Sequence, residues 1–237
     1  MKQGPVEETC LSKKHKEIIK HLNFTDGEIV IEIGCGTGYY ISYLSQRLKH
    51  SMIVATDVSY EALLLCRKKI EQEGGRSQVG YMVCDAEALP FKDKTFAGIL
   101  MTQVIEHLPD DENGLKEANR IAKSGVNFVI ATDNQHNYIS RAINLPVKLV
   151  RTILNKKVDQ IPFHKAYSLS NFYGMLIREG FEVNHFYTFR FSIAINPSLK
   201  IAHFINFILN QLEKALIRLP WIRNWGDIIL AYCQKPE

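Results

Sequence analysis

The sequence predicts an α/β fold in which a mostly parallel sheet is covered by helices. Three observations carry that reading. Val30–Ile33 is a short apolar run that enters a turn of alternating glycines, Gly34-Cys35-Gly36-Thr37-Gly38. Further apolar runs follow, separated by segments whose apolar residues recur at helical spacing. The runs end at residues able to do chemistry: Gly34, Asp57, Asp85 and Gln103. Alternation of this kind gives parallel strands joined by right-handed crossovers, with the ligand at the carboxyl ends of the strands.

Taken in order, Leu11 to Leu22 reads as a charged helix with Ile18, Ile19 and Leu22 on its apolar side. The strand at Val30 follows, and then a helix from Tyr39 to Leu48 with Ile41, Leu44 and Leu48 on one face. Ser51 to Ala55 is the second strand. Ser59 caps the next helix, whose apolar face holds Ala62, Leu63, Cys66 and Ile70 and which Gly74-Gly75 ends. Gln78 to Val83 and Phe96 to Met101 are the third and fourth strands. An acid-started helix from Asp110 to Lys123 leads through Ser124-Gly125 to a fifth strand, Val126 to Ala131. Beyond it, Leu169 to Arg178 is helical, Phe181 to Phe189 alternates as a strand, and Asp227 to Tyr232 supplies the last strand.

The chain has 237 residues, 46% hydrophobic and 23% charged, which suits one α/β domain and excludes a disordered chain. No run of about 18 uncharged apolar residues and no apolar leader core is present, so neither a membrane span nor a signal segment is expected. Cys10, Cys35, Cys66, Cys84 and Cys233 are scattered, without Cys-x-x-Cys or zinc spacing; they read as reduced thiols in a cytoplasmic protein. Charge is uneven. Residues 1–136 hold 16 basic and 19 acidic residues, whereas residues 137–237 hold 13 basic and 6 acidic. The basic C-terminal part reads as solvated helix faces or as attraction for an anionic substrate.

The glycine turn admits two ligands. A dinucleotide fingerprint, Gly-x-Gly-x-x-Gly, starts correctly at Gly34 and Gly36 but requires glycine at position 39, where Tyr39 stands and would crowd a pyrophosphate. The alternative is an S-adenosylmethionine loop, and the strand ends favour it. Asp57 lies about 20 residues past the glycines, the spacing at which a carboxylate accepts both ribose hydroxyls. Asp85, with small Ala86 beside it, is placed for an adenine amino group. The fourth strand ends in Thr102-Gln103-Val104-Ile105-Glu106-His107. On these residues, over roughly Asp26 to Thr132, the chain resembles the class I S-adenosylmethionine-dependent methyltransferases. It is most similar there to the small-molecule enzymes of ubiquinone and menaquinone biosynthesis.

The resemblance implies a Rossmann-like, mostly parallel seven-stranded sheet with helices on both faces and a helical lid insertion. It also implies S-adenosylmethionine as cofactor and methyl transfer to a small-molecule or lipid-like acceptor. Gly34, Cys35 and Gly36 would meet the methionine part; Glu32 would order the glycine loop or reach the amino group. Asp57 would hold the ribose with Val58 against the adenine, Asp85 and Ala86 would read the adenine edge, and Gln103 would border the methionine end. His107 is the candidate base, its alternative being a cap on the following helix. His164, His136 and Tyr40 are candidates for the acceptor side, and for His164 a structural role stays open. Ubiquinone-pathway O-methyltransferases carry an acid where this chain has Gln103, so no metal is expected.

Two stretches exceed a minimal core. Asn137–Phe163 and Leu199–Leu219, the latter within a 190–226 connection that is normally a hairpin in such enzymes, interleave apolar and basic residues. They read either as amphipathic helices closing a single domain, 1–237, or as surfaces that meet a membrane interface or an apolar substrate. No Asn/Asp-Pro-Pro-aromatic motif follows the fourth strand, so a nucleic-acid acceptor is not expected. The other class of reading is a domain that binds the cofactor without turnover and serves as an interaction or regulatory unit.

Overall fold

The computed structural model describes residues 13–75, 77–137, 164–189 and 224–237. Seven strands form one sheet: β1 (Ile29–Ile33), β2 (Met52–Asp57), β3 (Gln78–Val83), β4 (Phe96–Thr102), β5 (Ala122–Asp133), β6 (Glu182–Phe189) and β7 (Ile228–Gln234). The order is β3-β2-β1-β4-β5-β7-β6. The helices are α1 (Lys13–Ile19), α2 (Tyr39–Arg47), α3 (Tyr60–Glu73), α4 (Asp111–Ile121) and α5 (Leu169–Arg178), with a 3-10 turn at Ile105–His107.

The pairings from β3 through β5 are parallel, but β7 runs antiparallel to both β5 and β6. The sheet is therefore mixed, which corrects the mostly parallel sheet expected. Apolar content shows that a strand is buried but not which way it runs, so the reversal of β7 left no mark in composition. The expected lid at 137–163 and the helix at 199–219 lie outside the described residues, apart from Asn137.

Side chains on successive strand positions face opposite sides, and this divides the core in two. Ile31 and Ile33 of β1, Ile99 and Met101 of β4, and Phe128 and Ile130 of β5 pack with Leu115 and Ala118 of α4 and Phe172 and Leu176 of α5. Val30, Leu100, Val129 and Ala131 face the other way, onto Ile18 of α1, Ile41 and Leu44 of α2, and Leu63 and Ile70 of α3. Central strands covered on both faces need the near-continuous apolar runs seen in the sequence.

Helix starts follow the expected capping chemistry. The Ser59 hydroxyl accepts from the Ala62 N–H at 3.2 Å, Asp110 from Asn113 at 3.0 Å, and Ser168 from Asn171 at 3.1 Å. The boundary between α4 and β5 differs from the sequence reading. The helix stops at Ile121, and Ala122 already pairs with Phe96, so two residues expected in the helix belong to the sheet.

Helix α2 begins differently, at Gly38, whose backbone is left-handed (φ 78°) and whose N–H donates to Cys35 O at 2.9 Å. A Cβ there would collide with the Cys66 sulfur and press on the α3 backbone. At Gly36 (φ 51°) a Cβ would meet nothing within 4 Å. Gly38→Ala should therefore cost about 2–4 kcal/mol, combining left-handed strain with overpacking, whereas Gly36→Ala should cost only about 1–2 kcal/mol. Urea unfolding of the two variants checks this; equal losses would mean that α3 yields to the added methyl.

Candidate cofactor and acceptor site

A cavity of about 590 Å³ opens at the carboxyl ends of β1 to β4. Its wall is built from the glycine loop, the β2 and β3 tips, the β4 end and the 3-10 turn. Glu32, Gly34, Cys35, Gly36, Tyr40, Asp57, Val58, Asp85, Ala86, Gln103 and His107, all singled out from the sequence, line it together. His136 does not. It borders a second cavity of about 360 Å³ with Ser168, Leu169, Ser170, Asn224 and Trp225. His164 lies just beyond His107, with ring centroids 5.0 Å apart.

The glycine loop is held by backbone contacts. Cys35 N–H donates to Thr56 O at 2.8 Å, and Gly36 N–H donates to the Asp57 carboxylate at 2.8 Å. The other Asp57 oxygen accepts from Ser59 N–H at 2.9 Å. Each oxygen keeps a further lone pair. Gly34 (φ 67°) lies so close to Val104 that a side chain would collide with it, which seals the loop against the β4 end. Gly36 has open space where its Cβ would be, so a ligand can approach the main chain there.

Glu32 lies under this loop, 1% exposed, and its Oε2 is buried without a hydrogen-bond partner. Burial foremost, with Cys66 and Asp57 adding, holds its carboxyl well above the usual range against an opposing hydrogen bond from Ile41 N–H. An unpartnered buried carboxyl oxygen is costly, and this one lines the cavity. The Tyr40 hydroxyl is likewise buried without a partner. Val58, 77% exposed, offers an apolar face at the rim beside Asp57.

The β4 end carries a polar network that the sequence did not reveal in full. Gln103 has a left-handed backbone (φ 56°), fixed by its N–H bond to Ala131 O at 2.8 Å. Such strain in a residue that is not glycine collects at functional sites. Its side-chain amide donates to Glu106 Oε1 at 2.7 Å and to Asp133 Oδ1 at 3.0 Å. Thr132 donates to the other Glu106 oxygen at 3.0 Å, and Asp133 Oδ2 lies 3.1 Å from His164 Nε2. Asp133 was missed. It ends β5 in Thr132-Asp133-Asn134, the same placement as Asp57 and Asp85, and that strand-end position was the available signal. Tyr39 lines the cavity too, its ring stacked on His15 of α1 with centroids 3.5 Å apart. Among the described residues, no group of three or more His, Cys, Asp or Glu is arranged to hold a metal.

Glu106 is 1% exposed, and its pKa is pushed up to about 7, from an ordinary 4.5, chiefly by burial. Between those values the folded protein keeps a proton that the unfolded chain has released. This group therefore makes stability fall as pH rises through that window. Glu106→Gln removes the contribution, so its unfolding free energy from urea titration should decline less between about pH 5 and 7, by roughly 1–3 kcal/mol relative to the parent. Identical pH dependence in the two proteins would show that Glu106 titrates normally.

The methyltransferase-domain family matches residues 31–130. A ubiquinone/menaquinone biosynthesis C-methyltransferase of Xylella fastidiosa is 31% identical over 100 residues, 42% of this chain and 40% of that protein. A demethylmenaquinone methyltransferase of Bacteroides fragilis is 26% identical over 129 residues, 54% of this chain and 50% of that one. The chain thus spans half or less of the length of these curated relatives. In fold, an S-adenosylmethionine-dependent methyltransferase from Mesorhizobium loti superposes with a TM-score of 0.63 at 15% identity, covering 94% of this chain and 98% of that one. By sequence over residues 31–130 the chain is similar to the methyltransferase-domain family, its whole sheet shares the fold of S-adenosylmethionine-dependent methyltransferases, and these likenesses indicate S-adenosylmethionine as cofactor.

Proposed function

We propose that this chain transfers a methyl group from S-adenosylmethionine to a small-molecule or lipid-like acceptor. The observation that carries the reading is the buried, unpartnered Oε2 of Glu32 in the same cavity as Asp57 and the open face of Gly36. That set suits a ligand with an ammonium group at one end and a diol further along. In this reading Glu32 takes the amino group, and the main chain of Gly34, Cys35 and Gly36 flanks the methionine part. Asp57 accepts from the ribose hydroxyls, Val58 packs on the adenine, and Asp85 and Ala86 read its edge. Gln103 borders the methionine end, with His107 beside it on the cavity wall.

The bound cofactor supplies a sulfonium-activated methyl group. The chain's own residues have then to position the acceptor and exclude water, and positioning alone contributes about 7–11 kcal/mol. Tyr40 and His164 take the acceptor side, whereas His136 borders the separate cavity beside Trp225. One matched relative is named for ubiquinone/menaquinone biosynthesis and the other for demethylmenaquinone, which supports a small-molecule or lipid-like acceptor. The basic and apolar composition of residues 137–237 supports a lipid-like acceptor met at an anionic membrane surface. We take the chain as one domain over 1–237 with insertions at 137–163 and 190–226, working in the cytoplasm and in peripheral contact with the membrane. No described helix is long and apolar enough to cross one.

Incubation with methyl-labelled cofactor, a cell lipid extract and an aqueous metabolite extract in separate arms tests the reading. Label should enter the lipid arm, and flotation should find the protein on anionic vesicles. Asp57→Ala should weaken S-adenosylhomocysteine binding by about 1.5–3 kcal/mol in calorimetry, roughly 10- to 100-fold. Tight binding with no transfer in either arm would identify a cofactor-binding interaction module instead. Transfer in the aqueous arm alone would point to a soluble metabolite.

A further inference from the structure

Methyl transfer to oxygen requires that a hydroxyl proton be taken, and the residues around Asp133 are arranged to take one. Both oxygens of this carboxylate are engaged: Oδ1 by the Gln103 amide at 3.0 Å and Oδ2 by His164 Nε2 at 3.1 Å. Gln103 is itself fixed through its backbone bond to Ala131 and lines the cavity. The carboxylate therefore cannot turn without breaking the contact to one neighbour or the other. The segment carrying His164 is pinned on two sides. Lys165 N–H donates to Glu106 O at 2.7 Å, and Tyr167 N–H donates to Asp133 O at 3.0 Å. The Tyr167 hydroxyl reaches Ile105 O at 3.1 Å and Asp111 at 2.6 Å. A histidine held this firmly is still 36% exposed, and its ring lies 5.0 Å from that of His107 on the cavity wall.

We propose that His164, backed by Asp133, is the proton acceptor of this site and that the group it deprotonates is an acceptor hydroxyl. This rests on the methyl-transfer reading above and narrows it to an oxygen nucleophile. An imidazole whose Nε2–H points at a carboxylate keeps its basic lone pair on Nδ1, and the carboxylate stabilises the imidazolium that forms. In the step, His164 Nδ1 takes the hydroxyl proton and an oxygen lone pair forms the bond to the methyl carbon. The carbon–sulfur bond breaks, and its electron pair stays on sulfur as a neutral thioether. The positive charge that leaves sulfur reappears on His164, next to Asp133. Gln103 and Asp133 are positioning residues; of these three, His164 alone touches the acceptor. Among the described residues, the titratable groups around His164 are Asp133 from β5, Glu106 and His107 from the 3-10 turn, and the ion pair of Lys165 with Asp111 at the start of α4.

The test uses the full chain, methyl-labelled cofactor and the extract that accepts label, followed by hydriodic acid, which releases O-methyl groups as methyl iodide and leaves C-methyl groups in place. Label should leave as methyl iodide. His164→Ala should lower transfer by about 100-fold or more while binding S-adenosylhomocysteine within twofold of the parent. His164→Gly should regain activity with added imidazole, which a merely structural histidine would not allow. Asp133→Asn should shift the acid limb of the pH–rate profile. Label resistant to hydriodic acid, or full activity in His164→Ala with His107→Ala inactive, would overturn the proposal. Loss of S-adenosylhomocysteine binding in folded His164→Ala would reassign the residue to cofactor binding and overturn it too. A parent protein that binds S-adenosylhomocysteine yet transfers nothing would refute the underlying methyl-transfer reading.

Discussion

The left-handed backbone of the loop from Gly34 to Gly38 is the constraint on which the site depends. Three glycines with positive φ fold the chain back over the end of β1, and the Asp57 carboxylate holds the fold by accepting from Gly36 N–H. Close packing leaves no freedom at either end, because Gly34 abuts Val104 and Gly38 abuts Cys66. Only Gly36 faces open space. The same turn that starts α2 thereby buries Glu32 and exposes bare main chain to the cavity. A side chain at either closed glycine would push the loop off the β4 end or off α3.

A second constraint acts at the other end of the cavity. Gln103 sits in a strained backbone conformation and spends its amide on two carboxylates at once. A neutral donor between Glu106 and Asp133 lowers the repulsion between two acids that the ends of β4 and β5 bring together. An acid at this position would add a third carboxylate, and the cluster would then need a cation. Gln103 thus separates two kinds of chemistry available to this fold: a cation-dependent site and one in which a carboxylate orients a histidine.

Much of this was legible in the sequence because it is local. Strand β1, the glycine turn, Asp57 and Asp85 each follow from a few adjacent residues, and all of them line one cavity. The helix caps at Ser59 and Gly74 were legible for the same reason. The direction of β7 was not, since a buried strand reads alike either way round. Neither was the contact between Asp133 and His164, which are 31 residues apart and meet only because the chain after residue 163 returns to the β5 tip. His136 looked like a partner for the same cavity but faces a separate one, bordered by Trp225. Tyr39 was read as crowding a pyrophosphate, but its own place, stacked on His15, required α1 to lie over the start of α2.

The central proposal is that the unpartnered Oε2 of Glu32 accepts from the ammonium group of the cofactor. A thermodynamic cycle tests it: calorimetric affinities of the parent and Glu32→Gln for S-adenosylhomocysteine and for its analogue lacking the amino group. The account predicts that removing the amino group weakens binding to the parent by about 10-fold or more, as expected for a charge-assisted hydrogen bond, and changes little in Glu32→Gln. An equal loss in both proteins would contradict it and leave Glu32 a purely structural support of the glycine loop.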